Sequence, residues 1–238
     1  MLRFPSVLDS VVAHFRDFVY PPVCFVCERP LEDGNQRVCT DCWSSFQQLH
    51  EGEPVWHELN IRFAEAGFVS GLLSCYYFEK EGPLQKVVHM LKYDGMKSMG
   101  ELLGRDIGLR MRESPEYLQA DWLLPIPLHR LKERERGYNQ ALCLCQGIAR
   151  ATGIRLGPPP LRRDKYKVSQ TQLSLEERKA NVGDAFRTHP QHAEHVMEKT
   201  IVLVDDVITT DSTINACVKV LIEAGAKRVV AASAAVTK

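Results

Sequence analysis

One stretch limits what this chain can fold into more than any other: Ile201-Val202-Leu203-Val204-Asp205-Asp206-Val207-Ile208-Thr209-Thr210-Asp211-Ser212-Thr213. Its leading apolar residues, mostly β-branched, predict a strand buried on both faces. Two adjacent carboxylates stand where that strand is expected to end, and a hydroxyl-rich turn follows. Ile214, Cys217, Val218 and Leu221 then recur at spacings of three and four, which predicts a helix. A strand, turn and helix in this order belong to an open α/β sheet, where ligands sit outside the carboxyl ends of the strands. Free N–H groups at the start of the helix suit a phosphate. The carboxylates suit sugar hydroxyls or a hydrated Mg²⁺. Together these groups describe a site for a sugar phosphate.

The stretch resembles the PRPP-binding motif of type I phosphoribosyltransferases: an apolar strand, two acidic residues, two apolar residues and a small-residue loop. The resemblance implies that Asp205 and Asp206 bind the ribose, with Mg²⁺ accompanying PRPP. It also implies that Thr209, Thr210, Asp211, Ser212 and Thr213 bind the 5′-phosphate. The pattern departs at Asp211, where the family usually has a glycine that lets backbone approach phosphate closely.

The chain has 238 residues, enough for one large domain or a medium domain with a small attachment. Its formal net charge is zero, so bulk charge argues for neither nucleic acid nor membrane, and only local patches can. No run approaches the length of a transmembrane helix, and Asp9, His14, Arg16 and Asp17 interrupt any signal-peptide core. Cys75, Cys143, Cys145 and Cys217 lie among apolar residues and read as small buried hydrophobes. Cys24, Cys27, Cys39 and Cys42 instead form two C-x-x-C knuckles, a set that can place four thiolates tetrahedrally around one structural Zn²⁺. A redox pair or two disulfides are the alternatives, and a reducing cytoplasm argues against disulfides. Four thiolates leave no open position for catalysis. Arg37, Trp43 and Phe46 beside the knuckles read either as packing or as a nucleic-acid surface.

Residues 1–19 form the first unit, with an amphipathic helix over 6–19 that docks on the rest of the protein or lies on a membrane surface. Residues 20–48 form the zinc unit. Residues 49–66 read as a polar linker, irregular from 47 onward, and 67–238 as the main domain. Gly67 to Phe78 suggests paired strands. Helices are expected after Pro83 and from Met96 to Arg112, with Asp121 to Pro127 a buried strand stopped by proline. The segment Leu128 to Gln140 then carries Arg130, Lys132, Arg134 and Arg136 against two Glu, and reads as a basic loop at a strand's carboxyl end. Arg130, Arg134 and Arg136 are candidates to hold pyrophosphate. A helix follows from Ala141 to Ala151, then a turn at Gly157 and a basic strand region 161–167. Ser174 and Glu177 make a capping box. His189, His192 and His195 read as part of a solvated linker, with a metal face as the alternative.

The ordered set of motifs resembles the ComF family, in which a four-Cys zinc unit precedes a phosphoribosyltransferase-like domain. The resemblance rests on Pro125 to Arg130, on Arg134 and Arg136 to Ala141, on Gln170, Leu173, Arg178, Asn181 and Ala185-Phe186, and on Ile201 to Thr213. Leu91-Lys92-Tyr93 also fits. It implies an α/β fold of type I phosphoribosyltransferase kind: a twisted, mostly parallel sheet with a hood, preceded by a small zinc ribbon. It also implies a part in DNA uptake during bacterial competence. The expected ligand is PRPP or another sugar phosphate, and the expected macromolecular partners are single-stranded DNA and DNA-uptake proteins. A non-catalytic factor that binds single-stranded DNA or nucleotides is the alternative, and a nucleotide-salvage accessory transferase is another. No motif names an acceptor, so turnover itself is not legible. The expected location is cytoplasmic, with peripheral placement at the inner face of the membrane as the alternative carried by the N-terminal helix.

Overall fold

The computed structural model describes residues 22–32, 36–65, 69–163, 185–189 and 192–237. The helix expected over 6–19, the turn at Asp33-Gly34-Asn35 and the segment 164–184 with its capping box lie outside the described residues. The strands are β1 (Leu72–Phe78), β2 (Trp122–Pro125), β3 (Leu161–Arg163), β4 (Phe186–Thr188), β5 (Thr200–Ile208) and β6 (Arg228–Thr237). Four of them make one parallel sheet in the order β1-β6-β5-β2, and β3 pairs antiparallel with β4. The helices are α1 (Thr40–Ser44), α2 (Pro54–Glu65), α3 (Pro83–Tyr93), α4 (Lys97–Glu113), α5 (Pro115–Leu118), α6 (Arg130–Arg136), α7 (Gln140–Thr152) and α8 (Ser212–Glu223).

Alternation along β5 divides the core between the two faces of the sheet. Val202 and Val204 pack with Leu103, Ile107, Leu144 and Ile148 of α4 and α7. Ile201 and Leu203 pack on the other side with Leu59 and Phe63 of α2 and with Val218 and Leu221 of α8. Both faces are covered, which is why β5 reads as a continuous apolar run. On the first face, α4 and α7 touch backbone to backbone. A Cβ added at Gly104 would lie 2.1 Å from the Leu144 carbonyl oxygen, and one at Gly147 would lie 2.1 Å from that of Glu101. Glycine is needed at both positions for this approach.

Several sequence expectations are corrected. Residues 47–66 are not irregular throughout. Pro54 opens α2, where its missing N–H costs nothing, and Leu59 and Phe63 are buried in the core. His57, Glu58, Arg62 and Glu65, which disguised this helix, are exposed, while Asn60 Oδ1 accepts from Leu72 N–H of β1 at 3.3 Å. Gly67 to Phe78 contributes the single strand β1, paired with β6 and not with a neighbour of its own, while residues 66–68 are outside the described residues. The basic stretch after Pro127 is not a loop but the short helix α6, with the His129 side chain accepting from Leu131 N–H at its start and Gly137 at φ +77 at its end. The acid pair lies within β5, which runs on through Ile208, and not at the strand's end.

The four-Cys unit is packed on the sheet domain. Cys24, Val26, Val38, Cys42 and Phe46 belong to the same core cluster as α3 and α4. Lys86 Nζ donates to the Val26 carbonyl at 2.7 Å. Trp43 Nε1 and the Tyr76 hydroxyl both donate to Asp106 Oδ2, at 2.8 and 2.6 Å. No helix among the described residues is long and apolar enough to cross a membrane.

Candidate functional site

The crevice exists because β2 is shorter than β5. Pairing of β2 with β5 stops at Pro125↔Val204, and one more bond follows, from Ile126 N–H to the Val204 carbonyl. Pro125 and Pro127 cannot donate to a ladder, so the chain leaves the sheet there. From Asp205 onward β5 is paired only with β6. The opening is a cavity of about 200 Å³ lined by Asp205, Asp206, Thr213, Lys92, Arg136 and Arg163, together with residues 126–128 and 139–141. The chain leaving β2 returns through α7 to pair Leu156 with Leu123 on the far edge of β2, whereas the chain leaving β5 returns through α8 as β6. The two connections thus diverge at the crevice, the switch point where such sheets bind ligands.

The two carboxylates are held differently. Asp206 is 8% exposed. One of its oxygens accepts from Val207 N–H at 2.7 Å, and the other lies 2.9 Å from Lys92 Nζ. Asp205 accepts from Asp206 N–H at 2.9 Å. Burial, reinforced by the charge of Asp206, pushes the Asp205 carboxyl up to about 7, against the pull of that N–H, Lys92 and Arg163. Two adjacent carboxylates on the part of β5 that extends past β2, faced by three cations, favour a ligand that brings hydroxyls to the acids and negative charge to the cations.

The residues expected for the 5′-phosphate divide. Thr213, in the first turn of α8, lines the crevice. Thr209 and Thr210 are exposed, with Thr210 Oγ1 3.0 Å from Ser212 Oγ. Asp211 is the N-cap residue of α8, but its side chain makes no cap bond. Its carboxylate instead accepts from Asn215 Nδ2 at 3.4 Å, one turn along the helix. Its φ of −68 is ordinary for any residue, so this turn does not require the family's glycine.

Of the arginines expected to hold pyrophosphate, Arg136 lines the crevice and stacks on the Tyr93 ring at 5.5 Å. Arg130 lines an adjoining cavity of about 440 Å³, and Arg134 is exposed and lines neither. Lys92, Arg163 and Gln140 were not among the candidates from sequence. Lys92 was signalled only by the fit of Leu91-Lys92-Tyr93, and Arg163 only by the basic run after Pro160. A larger cavity of about 550 Å³ lies on the outer side of α4 and α7, lined by Arg37, Arg105, Arg112 and Arg150. It holds no carboxylate pair and no strand end, so the smaller crevice is the candidate ligand site.

The four cysteine sulfurs all lie within 4.8 Å of one another, the only such metal-ligating group among the described residues. Cys27 Sγ and Cys39 Sγ are 3.8 Å apart, the edge of a tetrahedron with bonds of about 2.3 Å. Cys39 N–H donates to Cys24 Sγ at 3.3 Å. Arg29 donates to Cys27 Sγ at 3.4 Å and holds that thiol down at about 6. Burial, with hydrogen bonds from the other thiols, pushes Cys42 up. Four converging sulfurs of which one resists ionisation are the donor set of a thiophilic cation, which removes their mutual repulsion. The residues fit a structural Zn²⁺. The His189 and His192 rings lie 5.0 Å apart and tilted, and those of His192 and His195 meet edge to face at 5.8 Å, around a 3₁₀ turn at Ala193–Val196.

Residues 15–55 match a family model described as a double zinc ribbon domain. The chain holds four cysteines in that span, enough for one such metal centre. The chain is similar to Competence protein F of Haemophilus influenzae, with 27% identity over 87% of this chain and 93% of that protein. It is 30% identical to DNA utilization protein YhgH of Escherichia coli, in strains O6:H1 and K12, over 88% of this chain and 94% of each. Among solved structures it is similar to one titled as the allosteric regulatory enzyme of purine biosynthesis, at 24% identity and a TM-score of 0.38, covering 56% of this chain and 25% of that one. It is also similar to glutamine phosphoribosylpyrophosphate amidotransferase from B. subtilis, at 25% identity and a TM-score of 0.37, covering 66% of this chain and 29% of that one. The chain thus spans between a quarter and a third of those two enzymes.

Proposed function

Because this chain belongs to the ComF family, the family of Competence protein F and DNA utilization protein YhgH, we propose that its crevice binds PRPP or a sugar phosphate of the same design, in the service of DNA uptake or use. The observation that carries this reading is the meeting of Asp205 and Asp206 with Lys92, Arg136, Arg163 and Thr213 around one cavity. The carboxylates accept the ribose hydroxyls, and the first turn of α8 with Thr213 holds the 5′-phosphate. Arg136, Lys92 and Arg163 neutralise the remaining phosphates. Mg²⁺ bound with PRPP supplies further neutralisation of its diphosphate. Where an acceptor is present, the bond from the anomeric carbon to pyrophosphate breaks and a bond to the acceptor forms. The protein's contribution is positioning and charge neutralisation.

The test is thermal unfolding of the full chain with PRPP and Mg²⁺. Binding at a hundred times Kd stabilises by about 2.7 kcal/mol, which raises the midpoint by a few degrees. Asp206→Asn should lose most of that rise. No shift at millimolar PRPP overturns the reading. Incubation with PRPP and a panel of nucleobases, followed by pyrophosphate release, then separates a transferase, including a salvage enzyme, from a binding protein.

A second reading is favoured by the larger cavity. Arg105 and Arg112 stand seven residues apart along α4 without a carboxylate partner among the described residues, beside Arg37 of the zinc ribbon. A row of cations on an open groove suits the phosphates of single-stranded nucleic acid. Affinity for a labelled oligonucleotide should then fall steeply with salt and drop in Arg105→Glu/Arg112→Glu. Absent or salt-independent binding removes this reading and leaves the crevice untouched.

A further inference from the structure

Among the described residues, the side-chain amide of Gln140 has no hydrogen-bond partner. It is 2% exposed, its Nε2 is buried without a hydrogen-bond acceptor, and the residue lines the crevice. A buried amide donor left unmade is destabilising, and proteins rarely keep one without use. Gln140 is the first residue of α7, so the free N–H groups of that helix start also need to be accounted for. Asn139 already occupies one of them, since its Oδ1 accepts from Ala141 N–H at 3.0 Å. Asn139 Nδ2 in turn donates to the Ile126 carbonyl at 2.9 Å. That second bond ties α7 to the point where the chain leaves β2. The neighbouring amide is therefore spent on structure, whereas the amide of Gln140, in a residue that also lines the crevice, is not. Arg163, which lines the same crevice, likewise has its Nε buried without an acceptor among the described residues.

What Gln140 would meet there follows from its surroundings. Arg136 precedes it by four residues across the Gly137 turn and stacks on Tyr93, and Tyr93 is adjacent to Lys92. These groups enter the crevice from α3, α6 and α7, whereas Asp205, Asp206 and Thr213 enter from β5 and α8. A neutral donor set among cations suits an anionic oxygen.

We propose that Gln140 is a specificity-determining residue of the crevice, donating its side-chain N–H to an oxygen of a diphosphate held by Arg136 and Lys92. The assignment rests on the sugar-phosphate reading, in which the 5′-phosphate lies on the first turn of α8 and the remaining phosphates on Arg136, Lys92 and Arg163, and adds Gln140 as a donor to the diphosphate. Gln140 keeps its amide unpartnered in the free protein at a cost in stability, and the ligand completes the bond.

Calorimetry of the full chain with three probes, each with Mg²⁺, tests this: inorganic pyrophosphate, ribose 5-phosphate and PRPP. Gln140→Met keeps the shape and removes the donor. It should weaken pyrophosphate and PRPP by about tenfold and leave ribose 5-phosphate unchanged. Gln140→Glu, which replaces the donor with a negative charge, should weaken pyrophosphate further. Thermal unfolding without ligand supplies the readout that a structural role would not give. Removing an unpartnered buried donor should raise the midpoint in Gln140→Met, whereas a residue that only supports the fold would lower it. Unchanged pyrophosphate affinity in Gln140→Met overturns the assignment, as does an equal loss for ribose 5-phosphate. If the unaltered protein binds PRPP but neither fragment discriminates the variants, only this assignment fails. If it binds none of the three, the sugar-phosphate reading fails with it.

Discussion

Lys92 Nζ lies 2.9 Å from Asp206 Oδ2, and this pair joins the last turn of α3 to the strand that forms the crevice floor. The side chains are 25% and 12% exposed, so the pair is neither fully buried nor freely solvated. Removing one partner leaves the other charge poorly compensated. Breaking a fully buried pair costs about 3–5 kcal/mol, and partial exposure reduces that here to about 2. Lys92→Met should therefore destabilise by about 2 kcal/mol in urea unfolding, and adding Asp206→Asn should recover most of it. A neutral Lys92→Met, or losses that simply add in the double variant, would show that the two side chains do not depend on each other.

Asp205 gives the fold a dependence on pH. Its carboxyl is raised from the ordinary 3.8 to about 7, chiefly by burial and then by Asp206. The folded protein therefore holds a proton that the unfolded chain has released between those values. Stability from this group is fully present below about pH 4 and is lost as pH rises through about 7. Asp205→Asn should unfold at a higher temperature than the unaltered protein at pH 8, and the gap should close as pH falls from 7 to 4. A gap that widens on acidification would reverse the sign of the argument.

Asp211 occupies the loop position where a carboxylate could repel a phosphate, yet its side chain is directed to Asn215 and its φ of −68 needs no glycine. Asp211→Gly should change affinity for ribose 5-phosphate by less than about threefold, while lowering stability by about 0.5–1 kcal/mol through added backbone freedom. A large gain in affinity would mean that the carboxylate faces the ligand.

The zinc ribbon carries a backbone expense. Glu28, directly after Cys27, sits at φ 63, where its N–H donates to the Cys24 carbonyl at 2.7 Å. A non-glycine residue in this conformation costs about 1–2 kcal/mol. Glu28→Gly should retain metal against a chelator longer than the unaltered protein. One zinc per chain is expected by elemental analysis, and its removal should alter the fluorescence of Trp43, which is held by Asp106 and packs on Phe46 at 5.0 Å. Two zincs per chain, or a Trp43 signal indifferent to chelation, would contradict the single docked centre.

The parts legible in sequence are those whose physics is local. The apolar run of β5, the periodicity of α8 and the spacing of the four cysteines each follow from neighbours within a dozen residues. Helix α2 was hidden because Glu53, Asn60 and Arg62 surround only two fully buried side chains, Leu59 and Phe63. Helix α6 was hidden because it buries none. The meeting of Lys92 with Asp206 depends on which strands are neighbours, and no local pattern specifies the order β1-β6-β5-β2. Gln140 was legible only as part of a motif, since its lack of a partner is a property of the packed protein.

The most direct measurement is calorimetric titration of the full chain with PRPP and Mg²⁺ at pH 8, alongside Asp205→Asn/Asp206→Asn. The account predicts one site per chain and at least about tenfold weaker binding in the double variant, as expected for the loss of charge-assisted bonds to the ribose hydroxyls. Equal affinity in the two proteins, or no heat of binding in the unaltered one, would contradict it.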